Sequence, residues 1–484
     1  MRTGEGAESH VHSASWGTSN NGYTGLARDF DAYSYDNDSF LMIVAAGNNG
    51  GGHKAHTVGS PATSKNIISV GASQSSGYDL SNGMYGKDYL VDFSSRGPTA
   101  DDRIKPDIVA PGAYILSARA NNGRVGECDP PGGIDDVNSS LSGITWKWGT
   151  SMATPAVAGN ALLVRQYFEE GWFPTGRKNT SNSHRPSGAL VKAVLLNGAQ
   201  SLFGAQRGYD FGSILADAPY DIHQGFGRTN LLSSLPLEDK NTMSIEFVDR
   251  KIIRDGEIDT FELDVDLSRK CDDPNISITL VWMDPEGSAG CWKCLINDLD
   301  LYATKTGSST TFYPNGRGSR DTRNNAERIR ISVEHGDKVS VKVKAQNLAT
   351  QSQQYALVST GCFKSASNES ISPTKSPTIS PTKHLNPIPV SAPTKSPTKQ
   401  PTKFPTKSPT SVSTKIPIDG TIVPSLYFSQ NPTPATTTYP VVNRTIRTPL
   451  SDAEQHVSLL SAFYERLYDL PYLHYFYFSV WFYV

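Results

Sequence analysis

The chain reads as an α/β domain of parallel sheet and flanking helices, followed by an all-β sandwich and a disordered Pro/Thr/Lys-rich linker. Three observations carry this reading. First, Leu41-Met42-Ile43-Val44-Ala45-Ala46 is an unbroken apolar run, the pattern of a parallel strand buried on both faces. Second, Gly149-Thr150-Ser151-Met152-Ala153-Thr154-Pro155 is a small-residue turn followed by Ala156, Val157, Asn160, Leu163 and Tyr167 at helical spacing. Third, Phe261–Val265 and Val339–Val343 alternate apolar and polar residues, as half-buried strands do.

Each element follows from its residues. The Leu41–Ala46 strand ends in Gly47-Asn48-Asn49-Gly50, a turn at the carboxyl end, where α/β sheets place their chemistry. The Gly149–Pro155 turn sets Ser151 at a helix N-terminus, its hydroxyl exposed and its N–H open to a developing negative charge. Pro155 is expected in the first helical turn, where a missing N–H costs little. Beyond Gln224–Asn230 the helical pattern stops. Ile276–Trp282 and Arg328–Ile331 add strands, so residues 240–363 read as antiparallel.

The Gly149–Pro155 phrase resembles the nucleophile segment of subtilisin-like serine proteases. Further segments match in the family's order: Ser15-Trp16-Gly17, the Asn48 turn, Phe93–Pro98, Lys105–Gly112 and Gln224–Asn230. The resemblance implies a serine endopeptidase acting through an acyl-enzyme at Ser151, with Asn48 and the Ser151 N–H as oxyanion donors. A plainer reading of Asn48 is that it caps backbone groups. The resemblance also implies that Ser15, Trp16 and Gly17, with Ala46 and Gly47, line the substrate cleft, offering apolar or small surfaces and no acid.

The family's aspartate and histidine precede its serine, in an Asp-Thr/Ser-Gly turn and a His-Gly-Thr-His helix start. Neither pattern occurs here. The upstream histidines are His10, His12, His53 and His56, and none opens a helix of small residues. The expectation is a chain that starts after both residues and the first strands, with Met1 an internal methionine or a gene-model start. As written it would be an inactive fragment. The alternative is an inactive pseudoprotease that attaches to a surface or cell wall. Retention of Ser151 and Asn48 favours the peptidase.

Within residues 236–365, Val281-Trp282, Asn297–Leu301 and Arg323–Glu327 resemble the C-terminal β jelly roll of alkaline subtilases, related in architecture to the P-domain of kexin-type convertases. The domains expected are therefore 1–235, a partial peptidase domain, and 236–365, a jelly roll able to fold alone. A linker over 366–445 and an aromatic-rich tail of unknown role over 446–484 follow. The chemistry requires no cofactor. Asp298, Asp300 and Asp321 raise structural Ca²⁺, which the related enzymes bind, against solvated turn aspartates, and no ligands are assigned.

The formal net charge is -2, which gives no reason to expect nucleic acid as a partner; the partners implied are protein or peptide substrates. Four of the five cysteines, Cys271, Cys291, Cys294 and Cys362, fall in the second domain. They suit disulfides of a secreted protein, although connectivity cannot be read from spacing. Cys128 stands alone. Asn-x-Ser/Thr sequons lie at Asn37, Asn138, Asn179, Asn275, Asn368 and Asn443. The Ser-Pro-Thr-Lys repeats of 372–410 cannot bury a core and form an extended spacer, on the order of 120 Å long when drawn out. Lysines without acids leave cell-wall or glycan association open beside a solvated stalk. The tail is short for a membrane span, and three readings stand: membrane-associating end, docking segment, or translated non-coding sequence.

Overall fold

The computed structural model describes residues 9–75, 86–118, 144–207, 210–213, 220–268, 271 and 273–364. The linker, the tail, Cys128 and the sequons at Asn138, Asn368 and Asn443 lie outside these residues. Residues up to Glu369 belong to one compact unit.

The first part is built on a mixed sheet. Strands β1 (Val11–Ala14), β2 (Leu41–Ala45), β3 (Ile68–Ser73) and β5 (Ile108–Pro111) run parallel, with Val11 opposite Leu41, Ile43 opposite Ile68 and Val70 opposite Ile108. The short strands β4 (Tyr89–Leu90), β8 (Gly204–Arg207) and β9 (Asp210–Ser213) extend it. All five residues of β2 are buried, as an apolar run without alternation requires. Among the described residues β1 pairs with β2 alone, so its outer edge carries no strand. A hairpin of β6 (Ile115–Ala118) and β7 (Ile144–Lys147) leads into the Gly149 turn.

Among the described residues three α-helices accompany the sheet: α1 (Gly25–Asp36), α2 (Thr150–Glu169) and α3 (Gly188–Asn197). Helix α2 buries Ala153, Val157, Ala161, Val164 and Phe168, spaced at three and four residues, against β3 and β5. Pro155, Ala156, Gly159 and Leu162 form its exposed face. Every residue of α3 is buried, because it lies between two layers. Its N-cap is Ser187, whose Oγ accepts from the Leu190 N–H at 2.9 Å.

Among the described residues the second part holds two four-stranded antiparallel sheets. One has the order β10 (Ser244–Arg254), β17 (Ser352–Gly361), β12 (Asn275–Val281), β15 (Ala326–Ser332). The other runs β11 (Ile258–Asp264), β16 (Lys338–Leu348), β13 (Asn297–Lys305), β14 (Thr311–Phe312). Ile276, Ile278 and Leu280 of one sheet share a core with Leu299, Leu301, Val339 and Val341 of the other. Disulfides join Cys271 to Cys362 and Cys291 to Cys294.

The sequence expects this second part to stand alone, with the polar positions of its strands in water. The structure differs. Ser277 and Thr279, the polar half of the β12 alternation, are buried against α3. Ser277 Oγ donates to Asn197 O at 2.9 Å, Thr279 Oγ1 to Asn197 Oδ1 at 2.8 Å, and Asn197 Nδ2 donates to Thr360 Oγ1 at 2.7 Å. Val281, Ala326, Ala356 and Val358 share a core with Val191, Leu195 and the rest of α3. Residues 236–365 on their own would expose that face, so the expected independent folding loses its physical basis.

Charged side chains cross the same seam. Fully buried Lys65 pairs with Asp284 and donates to Cys294 O at 2.8 Å. Asn66 Nδ2 donates to Asp284 O at 2.8 Å, and Asn66 Oδ1 accepts from Asp284 N at 2.8 Å. The buried Arg328 guanidinium donates to Leu196 O at 2.6 Å, Ala199 O at 3.1 Å and Phe226 O at 3.0 Å.

Candidate active site

Helix α2 starts with an unusual cap. Gly149, at φ +144°, is the N-cap residue and has no side chain to offer. Asn48 supplies the cap from the end of β2 instead. Its Oδ1 accepts from the Thr150 N–H at 2.9 Å and from the Thr150 hydroxyl at 3.0 Å. Thr150 Oγ1 in turn accepts from the Gly47 N–H at 3.3 Å. The capping reading of Asn48 is therefore observed, and it has a consequence. A backbone N–H can only donate, so Oδ1 must face the helix and Nδ2 must point away from it.

Asn48 is exposed, and its Nδ2 meets no acceptor among the described residues; the same holds for the Ser151 N–H. These two donors face one space. A Cβ added to Gly149 would stand 3.5 Å from Asn48 Nδ2 and 3.6 Å from Ser151 N. The glycine thus does two things: it takes a φ other residues resist, and it keeps clear the volume between two unspent donors.

Ser151 is half-buried, and its Oγ donates to Ser15 O at 3.3 Å. Ser15 Oγ donates back to Ser151 O at 2.9 Å. That second bond explains Pro155, which lies in the second turn of α2 and not in the first as expected. Having no N–H, Pro155 leaves the carbonyl of Ser151, four residues earlier, without its helical partner. The Ser15 hydroxyl fills the vacancy and ties the segment after β1 to Ser151.

Ser15, Trp16 and Gly17 lie just beyond β1 rather than in a strand, and all three are exposed. Trp16 is 50% exposed and meets Phe30 of α1 edge-on at 6.1 Å. Gly17 passes close to the chain at Ser60: an added Cβ would stand 3.1 Å from Ser60 O. Across the site Ala46 is buried and Gly47 takes φ +108°. The structure therefore brings Ser15, Asn48 and Ser151 together, with Trp16, Gly17, Ala46 and Gly47 on the adjoining segments.

No histidine is bonded to Ser151 Oγ among the described residues. His53 Nε2 lies 3.2 Å from Gln206 O, and its ring is 5.9 Å from that of His223.

The three aspartates considered for calcium do not act alike. Asp321 Oδ1 accepts from the N–H groups of Arg323 and Asn324 at 2.9 and 3.2 Å. Its Oδ2 accepts from the amides of Asn315 and Asn324 at 2.8 and 2.7 Å. Asp298 and Asp300 face Arg320 at 3.8 and 3.6 Å. Burial, reinforced by the neighbouring Asp300 charge, pushes the Asp298 carboxyl up to about 6. Among the described residues no three His, Cys, Asp or Glu side chains are grouped to hold a metal.

The sequence singled out Ser151 and Asn48 but missed the pairing of Pro155 with the Ser15 hydroxyl. The signal was available: a proline inside a helix always frees the carbonyl four residues back.

Residues 4–227 match the model of the subtilase family. The serine protease/ABC transporter B family protein tagD of Dictyostelium discoideum is 28% identical over 409 residues, 65% of this chain and 22% of that one. Its relative tagA is 28% identical over 440 residues, 72% of this chain and 24% of that one. The chain thus spans about a quarter of the length of these relatives. The serine protease AprX of Bacillus subtilis is 37% identical over 126 residues, 26% of each chain. No helix among the described residues is long and apolar enough to cross a membrane. Residues 4–227, just under half of the chain, are thus the part that carries the match to the subtilase family.

Proposed function

We propose that the chain is a secreted serine endopeptidase in which Ser151 attacks the scissile carbonyl and Asn48 Nδ2, with the Ser151 N–H, stabilises the oxyanion. The observation that carries this is the pair of unspent donors facing the space kept open by Gly149. Attack by Ser151 Oγ forms the tetrahedral intermediate, whose oxygen takes both hydrogen bonds. Collapse expels the amine and leaves an ester on Ser151, which water hydrolyses. Fixed donors in a helix mouth stabilise that charge without reorganising.

The proton of Ser151 needs a base, and none of the four upstream histidines meets the hydroxyl. The base and its aspartate are therefore assigned to polypeptide seated along the outer edge of β1. The Pro155-Ala156-Gly159-Leu162 face of α2 is exposed and apolar. No metal or cofactor takes part, and no step runs through calcium. Trp16, Ala46 and Gly47 bring no charge to the cleft, which suits cleavage after apolar or aromatic residues. The two-sheet part is assigned to the P-domain-like jelly rolls.

The test is labelling by a fluorophosphonate in a preparation that hydrolyses peptides. Ser151→Ala should abolish both labelling and turnover, a loss on the order of 10⁶-fold as for the nucleophile of subtilisin. Full serine-dependent activity in that variant would remove Ser151 from the mechanism.

A further inference from the structure

Three of the sequons fall on described residues, and the fold treats them differently. Asn37 closes α1: its Nδ2 donates to Tyr33 O at 2.8 Å, so the nitrogen that would carry a sugar is turned into the helix end. Asn275 opens β12, with its N–H and Nδ2 both directed at Asp273 Oδ1. The hydroxyl its sequon needs, on Ser277, is buried and bonded to Asn197 O. A glycan at either position would displace bonds that end a helix or join a strand to its neighbours.

Asn179 is built the other way. It and Ser181 are exposed in the segment between α2 and α3. Its backbone is fixed, the N–H donating to Gly171 O at 3.0 Å, and Gly171 at φ +73° admits close passage: an added Cβ would stand 1.9 Å from Asn179 O. The side-chain Oδ1 accepts from the Ser181 N–H at 3.1 Å. That bond fixes which end of the amide faces the chain, leaving Nδ2 directed outward with no partner among the described residues.

We propose that Asn179 is an N-glycosylation site and that Asn37 and Asn275 are not. The proposal rests on the secretory location given above and not on the hydrolytic mechanism. The co-reactant is a lipid-pyrophosphate-linked oligosaccharide. Asn179 Nδ2 forms a bond to the anomeric carbon, the bond from that carbon to the pyrophosphate oxygen breaks, and Nδ2 loses one proton to the transferase. Nothing is oxidised or reduced. Asn179 follows the C-terminal end of α2, a helix about 30 Å long, so the glycan sits far from Ser151 at the other end.

The chain is produced in a eukaryotic cell behind a secretion signal. Luminal material is then digested with a glycan-releasing amidase in ¹⁸O water, which marks each formerly occupied asparagine as labelled aspartate. Label is expected on Asn179 and absent from Asn37 and Asn275. Asn179→Gln and Ser181→Ala should each remove one glycan from the intact mass, and Ser181→Thr should keep it. An unlabelled Asn179, a glycan surviving Ser181→Ala, or label on Asn275 or Asn37 would overturn the proposal. Because occupancy is read without any activity assay, its failure is separable from failure of the peptidase reading.

Discussion

At the mouth of α2, two good donors are left without acceptors among the described residues, while at the seam around α3 almost every polar atom is matched. Asn48 Nδ2 and the Ser151 N–H lie beside the half-buried Ser151 hydroxyl, with Asn48 itself exposed. Lys65, Asn66, Asp284, Asn325 and Arg328 lie fully or almost fully buried, in bonds that cross from the sheet and helices to the two-sheet part. Water explains the difference. In the buried seam an unmatched charge would forfeit its solvation outright, so pairing is compulsory. At the exposed mouth solvent can satisfy the donors, so no protein partner is required. Substitutions in the seam should therefore act on stability, and those at the mouth on rate.

The largest stability effect belongs to the seam. Asp284→Ala leaves Lys65 buried without its counter-charge and should cost about 3–5 kcal/mol, seen as a lower midpoint in denaturant unfolding. Replacing both partners by apolar residues of similar volume should restore much of that loss. An Asp284→Ala protein as stable as the parent would show that water enters the seam, and the contrast between the regions would disappear.

At the mouth, Asn48→Ala should lower kcat of the active protease by about 10²- to 10³-fold, the loss known for such a donor in subtilisin, with little change in KM. The cap on the Thr150 N–H goes with the side chain, so a further cost of about 1 kcal/mol in stability is expected. A variant that loses stability but retains its kcat would leave Asn48 as a helix cap alone.

The smallest effect concerns pH. Asp298 is pushed up to about 6 by burial and by Asp300. A carboxyl raised in the folded state binds its proton more tightly there than in the unfolded chain. Its contribution to stability is therefore fullest below the unfolded value near 4 and fades as pH rises through about 6. Asp298→Asn should melt higher than the parent at pH 7, with the gap closing towards pH 4. A gap that is the same at both values would place the cause elsewhere than in titration.

Local pattern was enough for the elements. Leu41–Ala45 is a strand because an apolar run of that length has no solvent face, and the Gly149–Pro155 phrase starts a helix with Ser151 in its first turn. The buried stripe of α2 differs from the one its spacing suggests: Ala156 is exposed, and Ala153, Ala161 and Val164 are buried with Val157. Alanine is apolar enough for either side, so composition alone could not rank them.

The seam was the least legible part. Ser277 and Thr279 alternate with Ile276, Ile278 and Leu280 just as residues on a wet face do, yet they are buried against Asn197. Alternation reports that the two faces of a strand differ, and it does not say whether the polar face meets water or a polar partner. Nor does Lys65 carry any mark that its partner lies more than two hundred residues away at Asp284.

By itself the sequence determined the two strand periodicities, the Ser151 turn, the Asn48 turn at the end of β2, and the subtilase assignment that residues 4–227 bear out. Each is written in contiguous residues, where backbone propensity and side-chain spacing act locally. Tertiary structure alone decided which end of the Asn48 amide faces the helix, that Ser15 replaces the bond Pro155 cannot make, and that the two parts share α3 as one core. Those outcomes depend on atoms brought together from distant positions. Hydrogen bonding and desolvation choose among such partners only once the chain has closed around them.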